Sequence, residues 1–285
     1  MRIQALFTLL ILSLGSFTAQ AGGPWVVKKN KGYVQLQAVL PVYPYRALLM
    51  GTIRDTQGVN RYTFNSDYSA YLEFGLTDRL NVVSTLPAKY IRTGRETDQR
   101  YFEDLLPAGS LFGLSNYHIG LKYQLVDRNV KAAVSVHSRW NTARFDLDKG
   151  LATGYDANAF GVMAHVGRGN DKHFGFVEVG YHAFTNGFSD VVQINVEHGW
   201  KLKEVWYLAA TLNSTISLQN GTYYQANLAQ TGFYPNNQAG TAISVKASRE
   251  LNNGYGLQAS FPLIPITLQY VGFNGTVAMG IYKRF

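Results

Sequence analysis

Cysteine is absent from this chain of 285 residues. That excludes disulfides, thiol chemistry and any metal site built on thiolates. It also excludes a lipoprotein anchor, because no cysteine follows the amino-terminal apolar stretch. Long apolar runs are missing too. The one apolar stretch, Ala5 to Leu14, is shorter than the roughly 20 residues that a membrane-spanning helix needs. Mean hydropathy is −0.10, a value that looks like a soluble protein's.

What is present argues otherwise. Met1-Arg2 carries one positive charge, the apolar stretch follows, and Ala19-Gln20-Ala21 is a small-x-small cleavage site. These features read as a secretory signal peptide over residues 1–21. Aromatic residues make up 14% of the chain, with 19 Tyr and 16 Phe, and there are 28 Gly. An exported chain with many aromatics and a polar average fits a transmembrane β-barrel, whose strands are half lipid-facing and half polar. Such a signal has to be sought in period-two alternation rather than hydropathy.

The alternation is there. Phe64, Tyr68, Ala70, Leu72, Phe74 and Leu76 share one face of a strand over 62–76, with Asn65, Asp67, Ser69, Tyr71 and Glu73 on the other. The short turn Thr77-Asp78-Arg79 leads into a partner strand from Leu80 to Ile91. The same pattern predicts strands over 32–48, 114–125, from Lys131 to Trp140, and over 155–166, 173–184, 191–202, 205–218, 240–251, 255–263 and 274–285. Residues 264–272 could extend the eleventh of these as a bent continuation, and Pro41 and Pro44 make the outer part of the first irregular. The fold class is therefore all-β: an antiparallel transmembrane barrel of about twelve strands, an even number as bacterial barrels require. Turns after even strands are short and most connections after odd strands are longer, as expected of periplasmic turns and extracellular loops. The expected organisation is a signal peptide (1–21), a basic periplasmic segment with one Trp (22–31) that lies at the periplasmic mouth or plugs it, and the barrel (32–285). The carboxy-terminal Phe285 closes an alternating strand and looks like the signal that the barrel assembly machinery recognises.

Alternation sends Lys89, His118, Lys122, Lys131, His137, Arg139, Glu178, His182, Glu197, Lys246 and Arg284 into the lumen, with Asp67, Glu73, His165 and Glu250. Both signs are represented, so a self-satisfied network of ion pairs and a narrow, weakly selective pore are both compatible with this set. The net charge of +8 suits anionic lipid head groups and lipopolysaccharide, or a lumen that favours anions. Export argues against nucleic acid as a partner. Four inward histidines (His118, His137, His165, His182) sit on different strands, and no strand offers an i, i+2 pair of imidazoles; no metal site or cofactor is expected. His137 and Ser138 are adjacent on a strand and point to opposite faces, so they cannot act as base and nucleophile. The expectation is that the protein is not an enzyme.

The segment Tyr71-Leu72-Glu73-Phe74-Gly75-Leu76-Thr77-Asp78-Arg79-Leu80-Asn81-Val82-Val83-Ser84-Thr85-Leu86-Pro87 resembles outer-membrane proteins of the phenol-degradation MetA-pathway family. There a strand ends in a Gly-Leu-Thr-Asp-Arg-Leu turn and the next reaches Leu-Pro. The resemblance covers one hairpin and implies an outer-membrane barrel, with passage of hydrophobic or aromatic compounds as the family's name suggests. It carries over no binding residues. Two functions follow as expectations: a narrow channel for small solutes, or a non-conducting accessory subunit that meets another outer-membrane protein. For the channel, the loop over 93–110 or the amino-terminal segment would be the obstruction.

Overall fold

The computed structural model describes residues 22–41, 48–50, 56–58, 60–97, 103, 105–269 and 276–285. Twelve antiparallel strands close into one barrel. They are β1 (Gly32–Pro41), β2 (Arg61–Gly75), β3 (Leu80–Glu96), β4 (Gly109–Leu114 and Tyr117–Asp127, interrupted at Ser115 and Asn116), β5 (Lys131–Trp140) and β6 (Ala159–Gly169). The others are β7 (His173–Phe184), β8 (Val191–Leu202), β9 (Trp206–Ser217), β10 (Ala239–Glu250), β11 (Tyr255–Gln269) and β12 (Thr276–Arg284). Each strand pairs with its neighbours in sequence, and β1 closes the ring on β12, from Tyr33 opposite Arg284 to Pro41 opposite Thr276.

Alternation decides which side each residue faces. Leu36, Leu72, Leu121, Val136, Val162, Val177, Leu208, Leu257 and Ile281 are exposed on the outer wall. Tyr33, Glu73, Lys122, Ser135, His165, Glu178, Tyr207 and Tyr282 are buried inside. A soluble protein could not leave such an apolar outer belt in water. Closing the ring on β12 gives every strand a neighbour on each side, which satisfies backbone groups that hydrocarbon could not.

Several strand boundaries differ from expectation: β4 begins at Gly109 rather than Leu114, and β6 spans Ala159–Gly169 rather than 155–166. The first strand ends at Pro41, not Leu48; residues 42–47 lie outside the described residues, and Leu48–Met50 pairs instead with Thr56–Gly58 in a small separate ladder. β3 runs five residues beyond Ile91, to Glu96. β11 continues through Pro262 and Pro265 to Gln269, and its ladder with β10 shifts register between Ile243 and Ser244. A proline cannot donate to the ladder, so the strand passes both prolines through an irregularity. The β11–β12 ladder reaches only Ser260 opposite Ala278.

The two ends differ. At one, the connections after β2, β4, β6, β8 and β10 are tight turns. Thr77 builds the first by accepting through Oγ1 from the Arg79 and Leu80 amides. At the other end, the connections after β5 and β9 are long and fold inward. A short helix, Ala226–Thr231, carries Leu228 onto Leu151 and Ala152 of the β5–β6 loop and onto Ile91 of β3. Ile91 is an apolar inward residue, and it gives this loop cap something to bury against.

Candidate functional site: the barrel lumen

One half of the lumen, along β4 to β8, is filled by side chains, and the four inward histidines converge there. His137, Gly161 and His182 lie at one level on β5, β6 and β7, with Gly120 of β4 opposite His137. A methyl group at Gly120 or Gly161 would collide with the His137 or His182 ring, so each glycine provides the space its neighbour's imidazole occupies. His118 stacks on His137 at 4.9 Å, and His182 stands 6.3 Å from it.

Below this stack, Ser135 Oγ lies 2.6 Å from His137 Nε2 and 2.7 Å from His165 Nε2. His165 Nδ1 is 2.9 Å from Glu178 Oε1. The Glu178 carboxylate also accepts from Asn195 Nδ2 at 2.9 Å and from the Gly23 amide at 2.8 Å. The order serine, histidine, carboxylate is that of a hydrolytic triad. Two features weigh against such chemistry. Ser135 is 1% exposed. β5 is laddered on both sides, so its amides are not available as an oxyanion hole. The arrangement is a hydrogen-bonded packing network. Among the described residues, no group of three or more His, Asp or Glu could hold a metal ion.

Most inward charges are paired. Lys122 Nζ meets Glu73 Oε1 at 2.7 Å with both side chains almost fully buried. Lys89 meets Asp67 at 2.9 Å, and Lys246 meets Glu197 at 2.6 Å. Arg284 pairs with Glu250, and Lys131 with Asp127 at the turn end. Arg139 is different: it sits beside His118, its guanidinium lies 5.7 Å over the Phe184 ring, and it has no carboxylate partner among the described residues.

Both ends of this half are covered. At the turn end, Trp25 packs edge-on to Phe174 and Phe176, and Pro24 O accepts from Gln124 Nε2 at 3.3 Å. Residues 22–31 then cross Gly75, whose missing side chain makes room for the Lys28 backbone. The Lys29 amide donates to Asp78 Oδ1 at 3.1 Å, and the Asn30 amide to Gly75 O at 2.9 Å. Gly75 and Asp78 of the Gly-Leu-Thr-Asp-Arg turn thus form the bed on which the segment lies. At the loop end, Tyr155, Tyr234 and Lys89 meet: the tyrosine rings are 4.8 Å apart and Lys89 Nζ lies 4.9 Å over Tyr234. Burial pushes the Tyr155 phenol up to about 12, so it stays protonated and donates to Gln238 Oε1 at 2.6 Å.

Asp190 ties two of the loops together. It accepts from the Tyr181 hydroxyl (2.6 Å), Asn220 Nδ2 (2.9 Å) and the Phe184 amide (3.0 Å). The Tyr181 bond, then the Asn220 bond, hold its carboxyl below the ordinary value of 3.8. A depressed folded value means that the linkage is present above that ordinary value and is lost as pH falls through the folded one. Asp190→Ala is expected to speed hydrogen exchange in residues 185–190 and 218–221 at neutral pH. The difference from the parent protein should vanish once acid has protonated the parent's carboxylate. A difference that persists unchanged in acid would show that the carboxylate charge is not what ties the loops.

The other half of the lumen is open. A cavity of about 330 Å³ lies against β1, β2, β3, β10, β11 and β12. Tyr33, Gln35, Gln37, Ser69, Tyr71, Thr85, Ser248, Gln258 and Tyr282 line it together with Lys246 and Arg284. The sequence reading placed only the last two in the lumen as site residues. Ser135 was legible, being two residues before His137 on the same strand face. The cavity's Tyr and Gln residues were not, because a neutral inward residue looks the same whether it packs or faces a void.

No family model and no curated protein matches this sequence. Solved structures do match the fold. An outer membrane channel from Pseudomonas putida F1, described as COG4313, superposes with a TM-score of 0.68 at 12% identity, covering 94% of this chain and all of that one. The beta domain of the Bordetella autotransporter BrkA gives 0.52 at 12% identity over 90% of this chain and all of that one. The translocator domain of the autotransporter NalP from Neisseria meningitidis gives 0.50 at 14% identity over all of this chain and 94% of that one. The chain thus has the fold of bacterial outer-membrane β-barrels.

Proposed function

We propose that the protein is a narrow outer-membrane channel for small solutes, held closed here by its own loops and amino-terminal segment. One observation carries this reading: an inner wall rich in polar side chains that keeps a cavity of about 330 Å³, together with Arg139, a cation near the loop end without a carboxylate partner among the described residues. A barrel that served only as a scaffold would gain from filling that space and from pairing that charge. In this reading residues 1–21 are a cleaved signal peptide, the turn end faces the periplasm, and Phe285 serves the assembly machinery. The other barrel surfaces meet lipid and lipopolysaccharide. The likeness to a channel structure supports the class, and the hairpin resemblance supports hydrophobic or aromatic solutes among those carried; Arg139 favours anionic ones.

Conductance and reversal potential in a planar bilayer with a salt gradient test the proposal. A reproducible conductance with anion preference is expected, and Arg139→Glu should move the reversal potential towards the cation side. A correctly folded barrel that never conducts would overturn the channel reading. It would favour the second one, a non-conducting accessory subunit, which the covered lumen ends also fit. Stoichiometric co-purification of another outer-membrane protein in mild detergent would then be the expected result.

A further inference from the structure

We infer that the open half of the lumen is a binding site for a small neutral polyhydroxylated solute, of the size and chemistry of a monosaccharide or sugar alcohol. The inference rests on the channel reading and assigns the open half a solute class of its own, distinct from the anions that Arg139 favours near the loop end. The cavity's volume, about 330 Å³, lies at the small end of the range for ligand pockets, about 300–1,000 Å³.

Its charges are already satisfied. Lys246 is held by Glu197 and Arg284 by Glu250, so the wall presents no free charge to attract an ion. What remains is neutral and dense in hydrogen-bonding groups. Tyr33 Oη donates to Gln35 Oε1 at 2.5 Å, and Gln35 Nε2 donates to Gln37 Oε1 at 2.7 Å. Gln258 Nε2 reaches the same Gln37 oxygen at 3.4 Å from the far side of Gly280, which adds no side chain between them. This ladder uses both ends of the Gln35 amide but only the oxygen of Gln37 and only the nitrogen of Gln258. The Gln37 nitrogen and the Gln258 oxygen, with the Ser69, Thr85 and Ser248 hydroxyls, have no protein partner among the described residues and border the cavity.

Donors and acceptors are thus interleaved within one small space. A hydroxyl is both donor and acceptor, so a molecule with adjacent hydroxyls can satisfy such a mixture. A carboxylate only accepts and would leave the Gln258 oxygen unmatched. A hydrocarbon would leave every one of these groups desolvated and unpaired. The Tyr33 ring, stacked on Tyr282 at 5.4 Å and edge-on to Tyr71 at 6.0 Å, adds a rigid aromatic wall for the ring or chain carbons of the solute.

The test is calorimetric titration of the full detergent-solubilised barrel with glucose, mannitol and benzoate. Saturable binding of glucose or mannitol, weakened at least tenfold in Gln37→Leu/Gln258→Leu, with no saturable benzoate binding, is the expected result. Retention of the heat-modifiable gel mobility and the β-sheet circular dichroism establishes that the double variant folds. No saturable binding of either polyol up to tens of millimolar would overturn the inference, as would polyol binding that the double variant leaves unchanged. Conductance separates the two readings. A barrel that conducts but binds no polyol loses this site and keeps the channel; one that binds polyol and never conducts keeps the site and loses the channel.

Discussion

Glu73→Ala is expected to destabilise the barrel by about 3–5 kcal/mol, the cost of leaving a buried charge without its partner. Glu73 is 2% exposed, and its carboxylate meets three groups: Lys122 Nζ at 2.7 Å, Asn81 Nδ2 at 2.6 Å and the Tyr71 hydroxyl at 3.0 Å. Its removal strands the Lys122 ammonium, whose side chain is only 4% exposed and which has no second carboxylate partner among the described residues. Asn81, fully buried, loses its acceptor as well. Urea unfolding in detergent, followed by gel mobility and tryptophan fluorescence, reads the loss. A deficit below about 1 kcal/mol would mean that water reaches Lys122 and that the pair behaves like an exposed one.

The double variant Glu73→Leu/Lys122→Met separates a missing partner from a missing attraction. Removing both charges together eliminates the stranded ammonium, so most of the stability should return. If the double variant were as unstable as Glu73→Ala, the damage would lie in packing around Asn81 and Tyr71 instead. The same logic does not extend to Lys131–Asp127, which sits at the exposed turn end, where such pairs contribute little.

The strands were legible because barrel alternation is a local property. Residues 173–184 and 191–202 fold as strands with those bounds, since each run is bounded by polar turn residues and its period is unbroken. Some departures follow from prolines or from an inward apolar residue, whereas β6 starts at Ala159 rather than Tyr155 because Tyr155 packs on Tyr234 in the loop cap. β1 is described as far as Pro41, β11 passes through Pro262 and Pro265, and Ile91, where alternation predicts a strand's end, is the seat of the loop cap. Pairings across the lumen were beyond the sequence for a different reason. Lys122 meets Glu73, 49 residues away, because β3 places β2 and β4 on either side of it, and that register depends on the length of every turn between them. The convergence of four histidines on four strands depends on register in the same way. It also needs the missing side chains of Gly120 and Gly161, whose role shows only when the neighbouring ring is in place.

Replacing residues 223–236 with a short glycine linker should raise conductance several-fold. This stretch, not the 93–110 loop alone, supplies the apolar contacts that close the described part of the loop end. Leu228 and Phe233 pack on Ile91, Leu151 and Ala152; Tyr234 covers Lys89; and the Asn227 side chain donates to Leu147 O at 2.7 Å, pinning the β5–β6 loop inward. Without them, the β5–β6 loop loses the apolar contacts of Leu228 and Phe233 that hold it over the mouth, and Tyr155 loses the ring beside it. Among the described residues, the remaining cover would then be the amino-terminal segment, which lies on the β7 and β9 side at the opposite end. Arg139, newly reachable from the loop end, should strengthen anion preference, and Arg139→Glu in the same background should reverse it. The strands themselves keep every ladder bond, so the variant should fold; an unchanged conductance in a folded variant would place the barrier deeper, among the histidines of β4 to β7 or at Trp25.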